Sequence, residues 1–119
     1  MTSRRDARGA GNELLHALVA TLPPEWRVDI GRMFSGQGLE VDGRFFAFVD
    51  KNGRLVVKLS QRDVVRLVDE GQAELVTMGT RTMREWAGLT QPEDGDLDGW
   101  RAAAEAAYSF LRHSGGDPG

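Results

Sequence analysis

Cysteine is absent from this chain of 119 residues, which excludes a disulfide scaffold, a thiolate metal site and a cysteine nucleophile. Histidine is nearly absent too. His16 and His113 stand near opposite ends of the sequence, so no histidine cluster indicates a metal site or a general base. No uninterrupted apolar run reaches the length of a membrane span. The sequence therefore predicts no membrane insertion, no metal, no cofactor and no catalytic residues, with the cytoplasm as the compartment.

Lysine is scarce, because Lys51 and Lys58 are the only lysines among 15 basic residues. The 18 acidic residues bring the net charge to -3, whereas a protein devoted to nucleic acid is usually strongly basic. The predominance of arginine suits bidentate recognition of carboxylate or phosphate, although a bias in codon usage gives the same composition. The hydrophobic share of 40% and the charged share of 28% are typical of one globular domain.

Hydrophobic periodicity predicts three helices and five strands. Residues 1–11 and 113–119 are polar or rich in glycine and are predicted to be flexible tails around a domain at 12–112. The predicted elements are a helix from 12 to 22, a strand at 26–41 interrupted at 35–38, strands at 44–49 and 54–59, a helix at 61–70, strands at 73–78 and 82–89, and a helix at 97–112. This order, α-β(3)-α-β(2)-α, predicts a single α+β domain with an antiparallel sheet and helices on one side.

Short sequence motifs predict where the turns and the helix caps lie. Asp42-Gly43 and Asn52-Gly53 are typical of β-hairpins, because a type I′ turn needs positive φ at both central positions. Asn12 is predicted to cap the first helix and Ser60 the second, with Gly71 ending the latter at its C′ position. Residues 44–49 are apolar on both faces, which indicates a central, covered strand.

Three glycine-containing segments carry a family signature: MFSGQGL at 33–39, VDGRFFA at 41–47 and GRLVVKL at 53–59. Together with Met78-Gly79 and the M-x-x-W pattern at 83–86, they resemble the N-terminal domain of TfoX over residues 12–112. The resemblance implies a bacterial protein with a small α+β fold similar to secretion-chaperone and YjbR-like domains. TfoX regulates natural competence and joins this domain to a helical C-terminal domain, so the resemblance implies such a role by analogy only.

The sequence departs from the family pattern at Ser35, Gln37 and Glu40, where a glycine, an aromatic or small residue, and a tyrosine are common. If the face with the turn binds something, these changes alter what it binds. The spacing Gly36-x-Gly38 could also cradle a phosphate, but a strand follows it where a phosphate loop needs a helix N-terminus. A bulge or a close backbone approach is the better interpretation.

Acidic residues of the loop at 91–98 lack the register of a calcium-binding loop, so we predict a solvated loop that caps the last helix. The arginines are the stronger candidates. They could form a cationic patch for an acidic partner or for nucleic-acid phosphates, or each could pair with a nearby carboxylate. The candidate interaction surface comprises Arg32, Phe34, Gly36, Gly38, Arg44, Arg81, Arg84 and Trp86.

These observations predict a regulatory or protein-interaction module without enzymatic activity. Its partner would be an unidentified protein or a second copy of the chain, docked on a face or an edge of the sheet. The alternative is a nucleic-acid-binding accessory protein that uses the arginine patch. An enzyme or a small-ligand binder would need a concave pocket with convergent polar groups, and the sequence indicates none.

Overall fold

The computed structural model describes residues 4–33 and 36–114, which form three α-helices and six strands. The predicted class is confirmed: the fold is α+β, with an antiparallel sheet and the helices packed on one side. No helix in the described ranges combines the length and the apolar character needed to cross a membrane. The elements are α1 (Arg4–Val19), a 3-10 turn (Pro24–Trp26), β1 (Asp29–Met33), β2 (Gly36–Val41), β3 (Arg44–Val49), β4 (Leu55–Lys58), α2 (Gln61–Asp69), β5 (Glu74–Met78), β6 (Arg81–Leu89) and α3 (Asp98–Ser114).

The described strands form one sheet in the order β1-β2-β3-β4-β6-β5, and every neighbouring pair is antiparallel. The predicted count of five strands was wrong, because 26–41 is not one interrupted strand. Residues from Asp29 to Met33 pair with β2, so Gly36 and Gly38 lie inside a strand. A Cβ atom at Gly38 would lie 2.7 Å from the backbone oxygen of Ala47, so this glycine permits close approach of β3.

Helix α1 begins at Arg4, so the prediction of a flexible tail at 1–11 was wrong for the residues described there. Tertiary contacts account for the difference. A Cβ atom at Gly11 would lie 2.8 Å from Gly53 O, and Gln91 Nε2 donates to Ala7 O at 2.8 Å. Asn12 is therefore inside the helix and does not cap it. Glycine disfavours a helix locally, but the tertiary packing stabilises the turns of α1 that contain glycine.

Several local predictions agree with the structure. Ser60 Oγ accepts a hydrogen bond from the Asp63 amide at 3.2 Å, and Gly71 follows α2 with φ of 74°. Asp42 and Gly43 have φ of 53° and 79°, as a type I′ turn requires. The hairpin before β4 is longer than two residues, because the Gly53 amide donates to Asp50 O in a four-residue turn.

The main core lies between the sheet and the helices. A β-bulge opposite Leu39 and Glu40 lets consecutive residues Phe46 and Ala47 both bury on this side. The ring of Phe46 meets Tyr108 edge-on at 5.9 Å. The fully buried large side chains of this core are Leu15, Leu18, Leu39, Phe46, Val49, Leu55, Val57, Leu59, Val64 and Trp100.

The opposite side of the sheet carries a second, smaller core made of Phe48, Val56 and Val76, with Met83 and Trp86 packed against it. Strand alternation places these side chains away from the helices. This second cluster explains why β3 is apolar on both faces, as the sequence indicated. Aromatic and aliphatic side chains, not a second layer of helices, cover the outer face of the strand.

A partly buried group of ion pairs lies on the side of the sheet that carries the second core. Arg54 Nε donates to Asp50 Oδ2 at 2.8 Å, and Arg54 Nη1 donates to Glu74 Oε1 at 2.9 Å. Burial by itself lowers the pKa of Arg54, but the hydrogen bonds and the charges of both carboxylates raise it, and the net shift is upward. The guanidinium covers Gly88, where a Cβ atom would lie 3.2 Å from it.

Candidate functional site

A cleft opens where β4 ends and β6 continues. β4 stops at Lys58, opposite Trp86, and the Leu59 amide donates to Glu85 O at 2.9 Å before the chain enters α2. Beyond that point the residues 81–84 pair with no strand of the described structure on the β4 side. We call this 620 Å³ space the β6 cleft, lined by Lys58, Gln61, Arg81, Thr82, Met83, Arg84, Glu85 and Trp86.

A bulge in β6 shapes the cleft. Leu75 is opposite Ala87, whereas the next residue, Val76, is opposite Met83. Three residues of β6 therefore stand between two consecutive partners on β5. Bulges of this kind bend a strand and change the direction of its side chains. Here the bulge spans 84–86, which brings Arg84 and Trp86 to the wall of the cleft.

Backbone groups of β6 also face the cleft. The β5–β6 hairpin closes through a two-residue turn, Gly79-Thr80, with Met78 opposite Arg81 and φ of 62° at Gly79. In such a hairpin the residues that flank the turn bond to each other, and the next residue directs its N–H and C=O outward. This residue is Thr82, so its backbone donor and acceptor are directed at the cleft.

The side chains of the cleft combine one rigid aromatic ring with cations. Trp86 packs edge-on against Phe48, with ring centroids 5.4 Å apart, and Lys58 Nζ lies 5.8 Å from the centroid of the Trp86 ring. Arg81 and Arg84 are exposed. In the part of the chain that the structure describes, no carboxylate oxygen lies within 4.0 Å of a charged nitrogen of Lys58, Arg81 or Arg84.

The structure brings together three residues of the predicted interaction surface, Arg81, Arg84 and Trp86, in the β6 cleft. Arg32 is exposed on β1, and Gly36 and Gly38 are buried in β2. Arg44 begins β3 and lines a separate 180 Å³ cavity, whose other lining residues are Phe45, Phe46, Lys58, Ala107, Phe110 and Leu111. Phe34 lies outside the described residues. The predicted surface is thus divided, and Lys58 lies between the β6 cleft and the cavity at Arg44.

Sequence reasoning missed Lys58, Met83 and the open part of β6. A partial signal was present, because the predicted strand that ends near Lys58 is shorter than the strand that begins near Thr82. Unequal neighbours leave part of the longer strand unpaired. However, nothing in the sequence shows that β4 pairs with β6 and not with β5.

A second concavity lies between α2 and α3, with a volume of 530 Å³. Its floor is apolar, formed by residues such as Leu67 and Trp100, and the Trp100 indole N–H is satisfied by Thr90 O at 2.9 Å. The rim carries Arg66, which lies 3.6 Å from Asp63 and 3.7 Å from Glu70 at the closest charged atoms. The one cation among the described residues that line this concavity is therefore paired with carboxylates of its own helix.

The remaining candidates make local contacts. His16 Nε2 donates to Gln37 Oε1 at 2.8 Å, and His113 Nδ1 donates to Ser109 O at 2.7 Å. In the acidic loop, Asp96 accepts from the amide of Asp98, the first residue of α3, at 2.9 Å. The described residues contain no group of three or more acidic or histidine side chains that could hold a metal ion.

No protein-family model matches this chain, and no curated protein or solved structure matches it. The resemblance to the N-terminal domain of TfoX therefore rests on the sequence motifs at 33–39, 41–47, 53–59, 78–79 and 83–86 and stays a prediction.

Proposed function

We propose that this chain is a protein-interaction module, without enzymatic activity, that binds an extended segment of a partner protein along the open part of β6. The observation that carries the proposal is the mismatch in length between β4 and β6, which leaves 81–84 without a paired strand on one side in the described part of the chain. An added strand can occupy that position and bond to the backbone of Thr82. Side chains around the cleft then select the sequence of the segment.

A regulatory role resembling that of the TfoX N-terminal domain is compatible with such a module, because a regulator acts through the partner it binds. Nucleic-acid binding is the second candidate. Two arginines and a lysine beside Trp86 could contact phosphates while the ring stacks on a base. The net charge of -3 favours the peptide, and so does the place of Arg32 on β1, at the edge of the sheet farther from β6.

The proposal can be tested by selecting a displayed library of random peptides on the immobilised protein. Each enriched peptide is then measured against Thr82→Pro, which removes the amide donor that faces the cleft. Thr77→Pro is the matched control, because Thr77 is opposite Thr82 and lies on β5 at the edge of the sheet. Proline is tolerated on a strand edge when its missing N–H would face solvent.

We expect peptides that bind the wild type and Thr77→Pro alike and lose about tenfold or more in affinity with Thr82→Pro. Thermal melts of both variants establish that each is folded. Loss of binding with Thr77→Pro alone would place the site on the outer edge of β5 and overturn the assignment to β6. A library that yields no peptide sensitive to either substitution would remove strand addition as the function.

A further inference from the structure

The charge of the β6 cleft is unbalanced. Lys58, Arg81 and Arg84 line it with a single carboxylate, Glu85. Arg54, by contrast, is paired with Asp50 and Glu74. The three cations of the cleft have no such partner within ion-pair distance. A ligand that supplies carboxylates would complement this charge, while a basic segment would be repelled.

Two of the residues that line the cleft, Met83 and Trp86, are apolar. Trp86 is half-buried, and its packing against Phe48 fixes the ring, while Met83 lies beside it on the same small core. Restrained aromatic rings of this kind are frequent anchors at protein interfaces, because they bury apolar area at little cost in conformational entropy. An apolar side chain of the partner would therefore bury its surface mainly against Met83 and Trp86.

Side chains along a strand alternate between the two faces of the sheet, and this alternation determines which residues of an added strand contact the cleft. Arg81 and Met83 are opposite Met78 and Val76, so both are on the side of the sheet that carries the second core. Thr82 is on the other side. An added strand would place the residue next to Arg81 and the residue next to Met83 on that same side, two positions apart. The intervening residue would point away from both.

From this arrangement we infer that the partner segment is acidic and carries an apolar residue two positions from a carboxylate. The carboxylate contacts Arg81, with Arg84 and Lys58 nearby, and the apolar side chain packs on Met83 and Trp86. This inference rests on the proposed function, since it names the chemistry of the segment that adds to β6. It goes further because strand addition by itself requires no particular charge.

The test uses fluorescein-labelled synthetic peptides of equal length and fluorescence anisotropy. The first has glutamate and valine at alternate odd positions with threonine at the even positions, so that each valine stands two positions from a glutamate on the same side of the strand. The second replaces each glutamate by glutamine, the third by lysine, and the fourth replaces each valine by serine. Each is titrated against the wild type, Arg84→Glu and Arg101→Glu. Arg101 is exposed on α3, outside the cleft lining, which makes it the matched control for charge reversal.

We expect the glutamate–valine peptide to bind about tenfold or more tightly than the glutamine and serine versions at low salt. The advantage over glutamine should shrink as salt is raised, because exposed charge pairs are screened. Arg84→Glu should remove that advantage and favour the lysine peptide. Arg101→Glu should bind like the wild type.

Equal binding of the glutamate and glutamine peptides, with both weakened by Thr82→Pro, would overturn the acidic preference and leave strand addition in place. Failure of every peptide, together with an empty library selection, would overturn both. A single-stranded oligothymidylate is added as a competitor. The cleft would instead be assigned to nucleic acid if the oligothymidylate displaces the labelled acidic peptide at a lower concentration than the unlabelled peptide does. That displacement should then be lost in Arg84→Glu.

Discussion

At the scale of single residues, Gly43 and Gly53 share a backbone conformation but have different neighbours. Both have positive φ, 79° and 77°, which disfavours any other residue. A Cβ atom at Gly43 would meet nothing within 4 Å, whereas one at Gly53 would collide with Ala7 O and Gln91 Nε2. Gly53 is therefore a contact point for the first turns of α1 as well as a turn residue.

We predict that Gly43→Ala lowers the free energy of unfolding by about 1–2 kcal/mol, the cost of a left-handed conformation for a residue with a Cβ atom. Gly53→Ala should cost at least about 1 kcal/mol more, since the new methyl group also displaces α1 and Gln91. Urea titrations followed by circular dichroism measure both values. Equal losses in the two variants would show that α1 does not pack on Gly53.

The same two glycines show what the sequence could reveal. Positive φ at a glycine turn is a local property, so Asp42-Gly43 and Asn52-Gly53 were recognised as turns from their residue types. The packing of Gly11 and Ala7 on Gly53 joins residues more than 40 positions apart. No local pattern encodes that contact, and for this reason the start of α1 was placed too late.

At the scale of elements, the strands near the centre of the sheet were easier to predict than their neighbours. Apolar residues on both faces identified β3 as covered, and it lies third of the six described strands. The glycines of β2 resembled an interruption because glycine usually weakens a strand. Pairing of β4 with β6, which creates the cleft, depends on long-range contacts that one sequence does not display.

The position of Phe46 in β3 gives a prediction at this scale. Phe46→Asp removes a ring that is 0% exposed and buries an unpaired carboxylate in its place. An unpaired buried charge costs about 3–5 kcal/mol, and loss of a buried phenylalanine ring costs about 3–5 kcal/mol. Because a domain of this size is stable by about 5–15 kcal/mol, the variant should be largely unfolded.

Val65→Asp is the control for this substitution, because Val65 is 49% exposed on α2 and its replacement buries no charge. Its thermal melt should stay close to that of the wild type. The two variants are compared by near-ultraviolet circular dichroism and by the melting temperature. A Phe46→Asp protein that melts cooperatively at the wild-type temperature would contradict the placement of this residue in the core.

At the scale of the whole molecule, local and net charge have opposite signs. The chain carries -3 overall, yet the β6 cleft presents three cations and one carboxylate. Long-range attraction of a polyanion follows the field of the whole protein, while recognition of a short segment follows the groups it touches. This difference separates a peptide from a duplex, because a duplex contacts a wider surface than the cleft provides.

We therefore predict that the protein and a generic DNA duplex elute separately from a size-exclusion column at low salt. An acidic molecule with a few clustered cations releases few counterions on binding DNA, so the affinity should be too weak to shift the peak. Light scattering on the same column gives the mass of the free protein, and the mass of a dimer would show that a second copy of the chain is one of its partners. A shifted peak that collapses when salt is raised would favour the nucleic-acid function over the peptide. In that case Arg84→Glu should abolish the shift and Arg101→Glu should leave it unchanged, because only the first residue lines the β6 cleft.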